Sequence, residues 1–279
     1  MLKAIKFAMY TLLLLSIFVL GLYGGAFTAE IKRGGTITVG IDAGPLGWDP
    51  HISLAFSSWN HYELVYESLL RFNYKMEIEP SLALSWEQPD PLTLIFRLRK
   101  GVKFHNGREM VASDVKYSFE RLKNPKTSAY PAYYEPVKSI DVVDDYTVKF
   151  TMSSPYPTLP ATIAYNQFAA IVPREVAEKH GDLKVVTCGT GPFKVKEYVP
   201  DDYTVFEQHS DYWDKGLPVV DRLIFKVIKD ETSRLAALRR GSVDIGWVKE
   251  AQMADMAQKT KELKVIIPPP ARQMRVWLS

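Results

Sequence analysis

Residues 79–119 read EPSLALSWEQPDPLTLIFRLRKGVKFHNGREMVASDVKYSF, and this stretch decides the fold. Leu92, Leu94, Phe96 and Leu98 alternate with Thr93, Ile95, Arg97 and Arg99, the period of two expected of a half-buried strand. Lys100-Gly101 breaks the run, Val102–Phe104 restarts it, and Asn106-Gly107 is a turn signal. Ser113 stands where a helix N-cap belongs, and Asp114 suits the positive end of the first turn. Val115, Phe119 and Leu122 then recur at helical spacing. The stretch is thus a hairpin-like pair of strands feeding a helix.

On the N-terminal side, Thr36–Ile41 reads as a first strand, followed by a loop, Asp42–Trp48, containing Gly44-Pro45 and Gly47. A helix is expected over Ser58–Leu70, burying Trp59, Tyr62, Tyr66 and Leu69. On the C-terminal side, Ile140–Met152 reads as a hairpin turning at Asp144-Asp145, and Phe193–His209 as another turning at Pro200-Asp201-Asp202. A strand over Arg222–Ile228, a helix over Thr232–Arg240 stopped by Gly241, and a strand over Ser242–Val248 follow. Ala251–Glu262 is a last helix, and Leu263–Ile267 a strand running into Pro268-Pro269-Pro270. A triple proline continues neither a ladder nor a helix.

With 47% hydrophobic and 24% charged residues, the 279-residue chain has an ordinary globular composition, enough for one large domain or two small ones. Residues 1–29 differ. Lys3 and Lys6 are the only charges before Glu30, and an apolar run then leads to the small residues Gly24-Gly25-Ala26 and Thr28-Ala29. This pattern is an export signal or, at 23 uncharged residues, an uncleaved membrane anchor. Without those two lysines the chain carries 33 basic and 32 acidic groups, so its net charge of +3 is near balance. No Lys/Arg block, zinc-finger spacing or aromatic-basic RNA motif is present, which excludes nucleic acid as the partner. The sole cysteine, Cys188, rules out an internal disulfide and lies far from the export segment.

The motifs LALSWE, TLIFRLRKGVKFHNG and ASDVKYSFER together resemble the identifying segment of extracytoplasmic solute-binding proteins of the oligopeptide/dipeptide/nickel class (solute-binding protein family 5). Those proteins deliver ligands to ABC importers. The likeness runs through TITVGIDAGPLGWDPHIS, YESLLRF at Tyr66–Phe72, CGTGPFKVKEYVPDD at Cys188–Asp202, HSDYWDKGLPVVDRLIF at His209–Phe225 and ALRRGSVDIGW at Ala237–Trp247. It implies an α/β, type II periplasmic-binding-protein-like lobe. The lobe itself would comprise residues 30–48 and 186–262, with an inserted α+β subdomain over 49–185. Residues 263–279 would form a hinge and the start of a second lobe, and the rest of that second lobe is missing or truncated. Weak or no ligand binding by the chain alone is then expected, because one wall of the cleft is present.

Enzyme chemistry has little support. Gly-x-Ser-x-Gly, His-Glu-x-x-His and Cys-x-x-Cys are all absent, and His51, His61, His105, His180 and His209 are dispersed. His51 and His105 fall in turn motifs. Gly189-Thr190-Gly191 lacks the final glycine and helix of a phosphate loop and reads as a turn for close backbone packing. The carboxylate pairs at the two hairpin tips read as solvated turns. No catalytic residue, metal ligand or cofactor is expected. A binding protein instead needs a concave surface with aromatic walls and a few fixed polar groups. Trp86 and Trp213 belong to scaffold motifs. The ligand-facing candidates are Asp42 and Trp48 in the loop after the first strand, Leu54, Phe56, Ser57 and Trp59 before and within the next helix, Tyr165 and Asn166, and Trp247 at a strand end.

The resemblance implies a monomeric extracytoplasmic protein that captures an oligopeptide or another small molecule and presents it to membrane permease subunits. A tethered sensor, a chaperone-like module and a secreted hydrolase are the alternatives.

Overall fold

The computed structural model describes residues 33–73 and 75–266 and the backbone of 275–278. The export segment and the triple proline lie outside the described residues. β1 (Thr36–Ile41) is the centre of the larger sheet. It pairs in parallel with β10 (Arg222–Val227) on one side and β11 (Ile245–Trp247) on the other. The antiparallel hairpin β8 (Phe193–Val199) and β9 (Tyr203–Gln208) extends the sheet beyond β10. β13 (Arg275–Leu278) and β12 (Leu263–Ile266) extend it beyond β11, giving the order β12-β13-β11-β1-β10-β9-β8. The segment expected to leave the lobe at residue 263 thus lays two strands on the lobe's own sheet.

Residues between β1 and β8 build a second, antiparallel sheet. β4 (Ala83–Asp90), β5 (Thr93–Leu98), β6 (Val137–Asp144) and β7 (Thr147–Met152) stand in the order β4-β5-β7-β6. Leu94, Phe96 and Leu98 of β5 are buried with Val148 and Phe150 of β7, beneath Val115, Phe119 and Leu122 of α2 (Ala112–Lys123). The alternation that opened the sequence reading is the core face of this sheet.

Two details of that stretch differ from expectation. β5 pairs with β4 and β7, whereas Val102–Phe104 pairs only with residues 108–110, through one bridge, Lys103 to Glu109, across the turn at Asn106-Gly107. The α2 N-cap is Val111. Asp114, three residues on, accepts from the Val111 N–H at 3.0 Å and is held by the Arg108 guanidinium at 2.6 and 2.9 Å, so the cap forms two residues before Ser113.

α1 (Phe56–Val65) packs Tyr62 and Val65, with Tyr66 just beyond, onto Phe206 and Phe225 of the larger sheet. The helix expected to reach Leu70 stops at Val65. Gly191 N–H donates to Val65 O at 2.9 Å and Ile171 N–H to Glu67 O at 2.8 Å, so tertiary partners take the carbonyls and pull the chain out straight. Leu70 instead opens β2 (Leu70–Phe72), which pairs with β3 (Ile78–Pro80). Residues 61–66 and 170–183 therefore contribute to the larger sheet's core, although their sequence position is within the insertion.

The two sheets are bound at a dry junction. Asp49 forms a buried ion pair with Arg121 of α2, with Arg121 Nη1 2.9 Å from Asp49 Oδ1. The same carboxylate accepts from the N–H groups of His51 (3.0 Å) and Leu183 (3.1 Å). Close backbone packing at Gly189-Thr190-Gly191 completes the junction. A Cβ on Gly189 would stand 2.0 Å from Val65 O, and one on Gly191 2.5 Å from Leu64 O. Cys188 is buried beside this turn, where desolvation pushes its thiol up to about 11 and keeps it unreactive.

Candidate functional site

Because β1, β10 and β11 run parallel, their carboxyl ends gather at one edge, the position where open α/β sheets place ligands. A polar network organises this edge. Arg234, on α6 (Glu231–Arg239), is fully buried and donates to the carbonyls of Ile228 (2.6 Å), Lys229 (2.9 Å) and Trp247 (3.2 Å). It thereby ties the end of β10 to the end of β11. Glu231 lies 3.5 Å from the same guanidinium and accepts from the N–H groups of Lys249 (2.7 Å) and Glu250 (3.0 Å), at the start of α7 (Ala251–Gln258). Asp42 leaves the end of β1 and pairs with Lys249. Burial raises the Asp42 carboxyl, but the hydrogen bond and charge of Lys249 outweigh it, so the carboxyl lies below its ordinary value. Both partners keep substantial solvent contact, unlike Asp49 and Arg121. The adjoining loop leaves Leu46 82% and Leu54 67% exposed, and Phe56 50% exposed at the start of α1.

A groove of about 440 Å³ opens along the outer face of α1. Phe56, Trp59, Asn60 and Glu63 line it at helical spacing, facing Phe72 of β2, Tyr165 and Asn166. Trp59 Nε1 donates to Ser53 O at 3.1 Å, and its ring packs near Phe56 and Phe168. Asn166 opens α4 (Asn166–Ala169), directly after α3 (Leu159–Ala164). It donates to Tyr66 O at 2.5 Å and leaves its buried Oδ1 without a partner. At the far end Glu67 is buried and accepts from Tyr212 Oη (2.8 Å), Thr190 Oγ1 (2.9 Å) and Trp213 Nε1 (3.0 Å). Desolvation raises its carboxyl to about 7 despite those three donors. No cluster able to hold a metal ion exists among the described residues.

A family model described as bacterial extracellular solute-binding proteins, family 5, middle region, matches residues 77–278. The chain belongs to this family. The family 5 chain is 33% identical over 248 residues to heme-binding protein A of Haemophilus influenzae, covering 79% of this chain and 45% of that protein. It is 29% identical to the glutathione-binding protein GsiB of Salmonella paratyphi A, over 91% of this chain and 50% of that protein. Among solved structures, AgaA from A.tumefacien R10 in complex with agropinic acid superposes with a TM-score of 0.79 at 29% identity, over 83% of this chain and 48% of that one. The oligopeptide-binding protein AppA of Bacillus subtilis, in complex with a nonapeptide, gives 0.76 at 27%, over 84% and 48%. The family 5 chain thus spans about half the length of the relatives it matches, and the mixed α/β periplasmic-binding-protein fold is shared with them.

The candidate residues do not converge on one place. Asp42 is at the carboxyl edge, and Leu54 is exposed on the loop before α1. Phe56, Trp59, Tyr165 and Asn166 share the groove along α1. Ser57 is half-buried, and its carbonyl accepts from His61 Nδ1 at 2.8 Å. Trp48 and Trp247 are core residues, 4% and 5% exposed. Trp48 sits edge-on to Tyr198 at 5.4 Å and to His61 at 5.8 Å. Their size made them candidates and also explains their burial, since a large aromatic fills a sheet core well. Sequence reasoning missed Lys249, Arg234, Glu63 and Glu67. Lys249, a charge directly after the strand SVDIGW, carried a readable signal; the other three lie on helix faces or strand entries with no local mark.

Proposed function

We propose that this family 5 chain carries a solute-binding lobe of an ABC import system, capturing peptides or similar small solutes and presenting them to membrane permease subunits. The observation that carries the reading is the carboxyl edge of the parallel strands. There a solvent-accessible ion pair, Asp42–Lys249, sits beside a buried network that ties the end of β10 to the end of β11, and the loop that leaves β1 exposes Leu46. Such an edge offers both a charged group of either sign and an apolar rim to a ligand with an amine, a carboxylate and side chains. The relatives' ligands, heme, glutathione and peptides, all suit a surface of this mixed character.

The protein works by binding, without catalysis. A ligand bridges this lobe and a facing one, and the closed form it favours is what the permease recognises. The hinge includes residues 186–191, and residues 49–185 serve as an inserted scaffold. The chain acts as a monomer outside the cytoplasmic membrane, exported by a signal or held by an anchor within residues 1–29.

Titration of the isotope-labelled chain with tetra-alanine, followed by amide NMR, tests the reading. Weak shifts at Asp42 and Lys249, with a Kd of about 1 mM or weaker, are expected. Peptide-induced shifts confined to other surfaces would overturn it.

A further inference from the structure

The turn Gly189-Thr190-Gly191 carries the chain from the segment between β1 and β8 back into the larger sheet, and three ionisable side chains hold it. His105 belongs to that intervening segment, and His209 directly follows β9. Both aim at one atom. His105 Nε2 donates to Gly191 O at 3.0 Å, and His209 Nδ1 donates to the same oxygen at 3.2 Å. Their rings meet edge-on, 4.9 Å apart. His105 also holds Gly189, whose carbonyl accepts from the His105 backbone N–H at 2.8 Å and whose N–H donates to His105 Nδ1 at 3.4 Å. From the other side, Thr190 Oγ1 donates to Glu67 at 2.9 Å.

This geometry suits two neutral rings. A carbonyl oxygen has two lone pairs, and the two N–H groups use both. His105 Nδ1 must then be bare to accept from Gly189. A proton added there sets N–H against N–H, and one on His209 as well puts two cations 4.9 Å apart. The surrounding charges do not relieve this. Lys194 on β8 donates to His105 O at 3.1 Å, and its charge disfavours protonation of both rings. Asp211 favours a proton on His209 but is paired with Lys103 at 3.2 Å. Cys188 beside His105 is a neutral thiol, and Glu175, bonded to Asn106, is paired with Arg108. Desolvation therefore prevails and lowers both histidines, although the Gly191 carbonyl pulls the other way. Around Glu67, desolvation likewise outweighs its three donors and the charge of Arg71, which is paired with Glu79.

We propose that this turn is an acid-operated joint: protons taken up by His105 and His209 release Gly191 O, and the turn opens while both sheets stay folded. Opening is local because little else holds the turn. Its remaining ties are Gly191 N–H to Val65 O and Thr190 to Glu67, whereas each sheet keeps its own ladders and core. The Asp49–Arg121 pair holds the two sheets together meanwhile. Imidazole is the side chain suited to such a role, since its ordinary pKa lies in the range where mild acid acts. The joint needs no ligand, so it goes beyond the solute-binding reading and does not depend on it.

The test is amide hydrogen exchange of the full labelled chain, corrected for the intrinsic pH dependence of exchange. Protection at Gly191 is expected to fall at least about tenfold per pH unit between pH 6 and 5. That is the slope for one net proton taken up on opening: the two histidines each take up one, and Glu67, neutral in the closed turn, gives one back. Amides of β5 and β7 should stay better protected throughout. His105→Gln with His209→Asn keeps an N–H donor near each ring nitrogen that bonds Gly191, without a group that titrates. In that double variant protection at Gly191 should not fall over the same range. Turn and sheet amides losing protection in step, a turn that keeps its protection in acid, or an equal slope in the double variant overturns the proposal. The comparison of turn with sheet in the unsubstituted chain decides the question even where the variant does not fold.

Discussion

Two ion pairs follow the first strand, and they are built to opposite ends. Asp49–Arg121, at the junction of the two sheets, is almost fully buried, and two backbone N–H groups join it on the carboxylate. Asp42–Lys249, at the carboxyl edge, keeps much of its solvent contact and holds only two side chains together. A buried pair cannot lose one member cheaply, because the other is then an uncompensated charge in a dry interior. An exposed pair exchanges with water or a ligand at little cost. The junction is thus fixed and the edge is free to rearrange, which is what a scaffold and a binding surface respectively need.

The largest expected effect breaks the junction. Asp49→Ala should destabilise the protein by about 3–5 kcal/mol in urea unfolding, since Arg121 stays buried alone. A loss below about 1 kcal/mol would show the junction to be no stronger than the edge. Gly189→Ala drives a methyl group into Val65 O, and a loss of about 3 kcal/mol is expected, with the midpoint moving and the m-value unchanged.

Acid provides a third probe, of the buried histidines. Burial lowers His61 to about 4 and His105 to about 3, while both return to about 6.5 on unfolding. Stability from these groups is complete above pH 6.5 and is lost as pH falls towards 4. Between pH 7 and 5 the loss is about 2 kcal/mol for each. Glu67 works in the other direction. Its folded value, about 7, lies above the ordinary 4.5, so its contribution is complete below pH 4.5 and is lost as pH rises through 7. Glu67 therefore offsets about one histidine, and Glu67→Gln should steepen the acid loss measured by thermal melts at pH 7 and 5. The smallest effect belongs to the edge. Lys249→Met should change stability by less than about 1 kcal/mol and yet alter the tetra-alanine response at Asp42. A large loss of stability would make the pair structural.

Much of the fold was legible because its signals are local. The alternation in Leu94–Leu98, the turn at Asp144-Asp145 and the stop at Gly241 each depend on a few neighbouring residues. Where expectation and structure part, a distant partner decides. α1 ends at Val65 because Gly191 and Ile171 supply donors from over a hundred residues away. Val102–Phe104 has the composition of a strand, but its ladder stops at one bridge: Phe104 N–H donates to Arg108 O at 2.8 Å and Met110 N–H to Val102 O at 2.7 Å, across the turn at Asn106-Gly107. The candidate binding residues were harder still. Trp48 and Trp59 are alike in sequence context, and only the third dimension puts one in the core and the other on a groove.

The parallel pairing of β1 also sets a schedule. Thr36 lies opposite Arg222, so the partner strand is synthesised about 180 residues after the first. At 5–20 residues per second that interval is roughly 10 to 40 s. During that time the edges of β1 have no ladder partner, while the four-stranded sheet, made of near neighbours, is complete and free to fold. Non-local closure of this kind is slow and exposes an apolar strand to wrong pairings. The newborn chain therefore needs shelter for its first strand until its centre arrives.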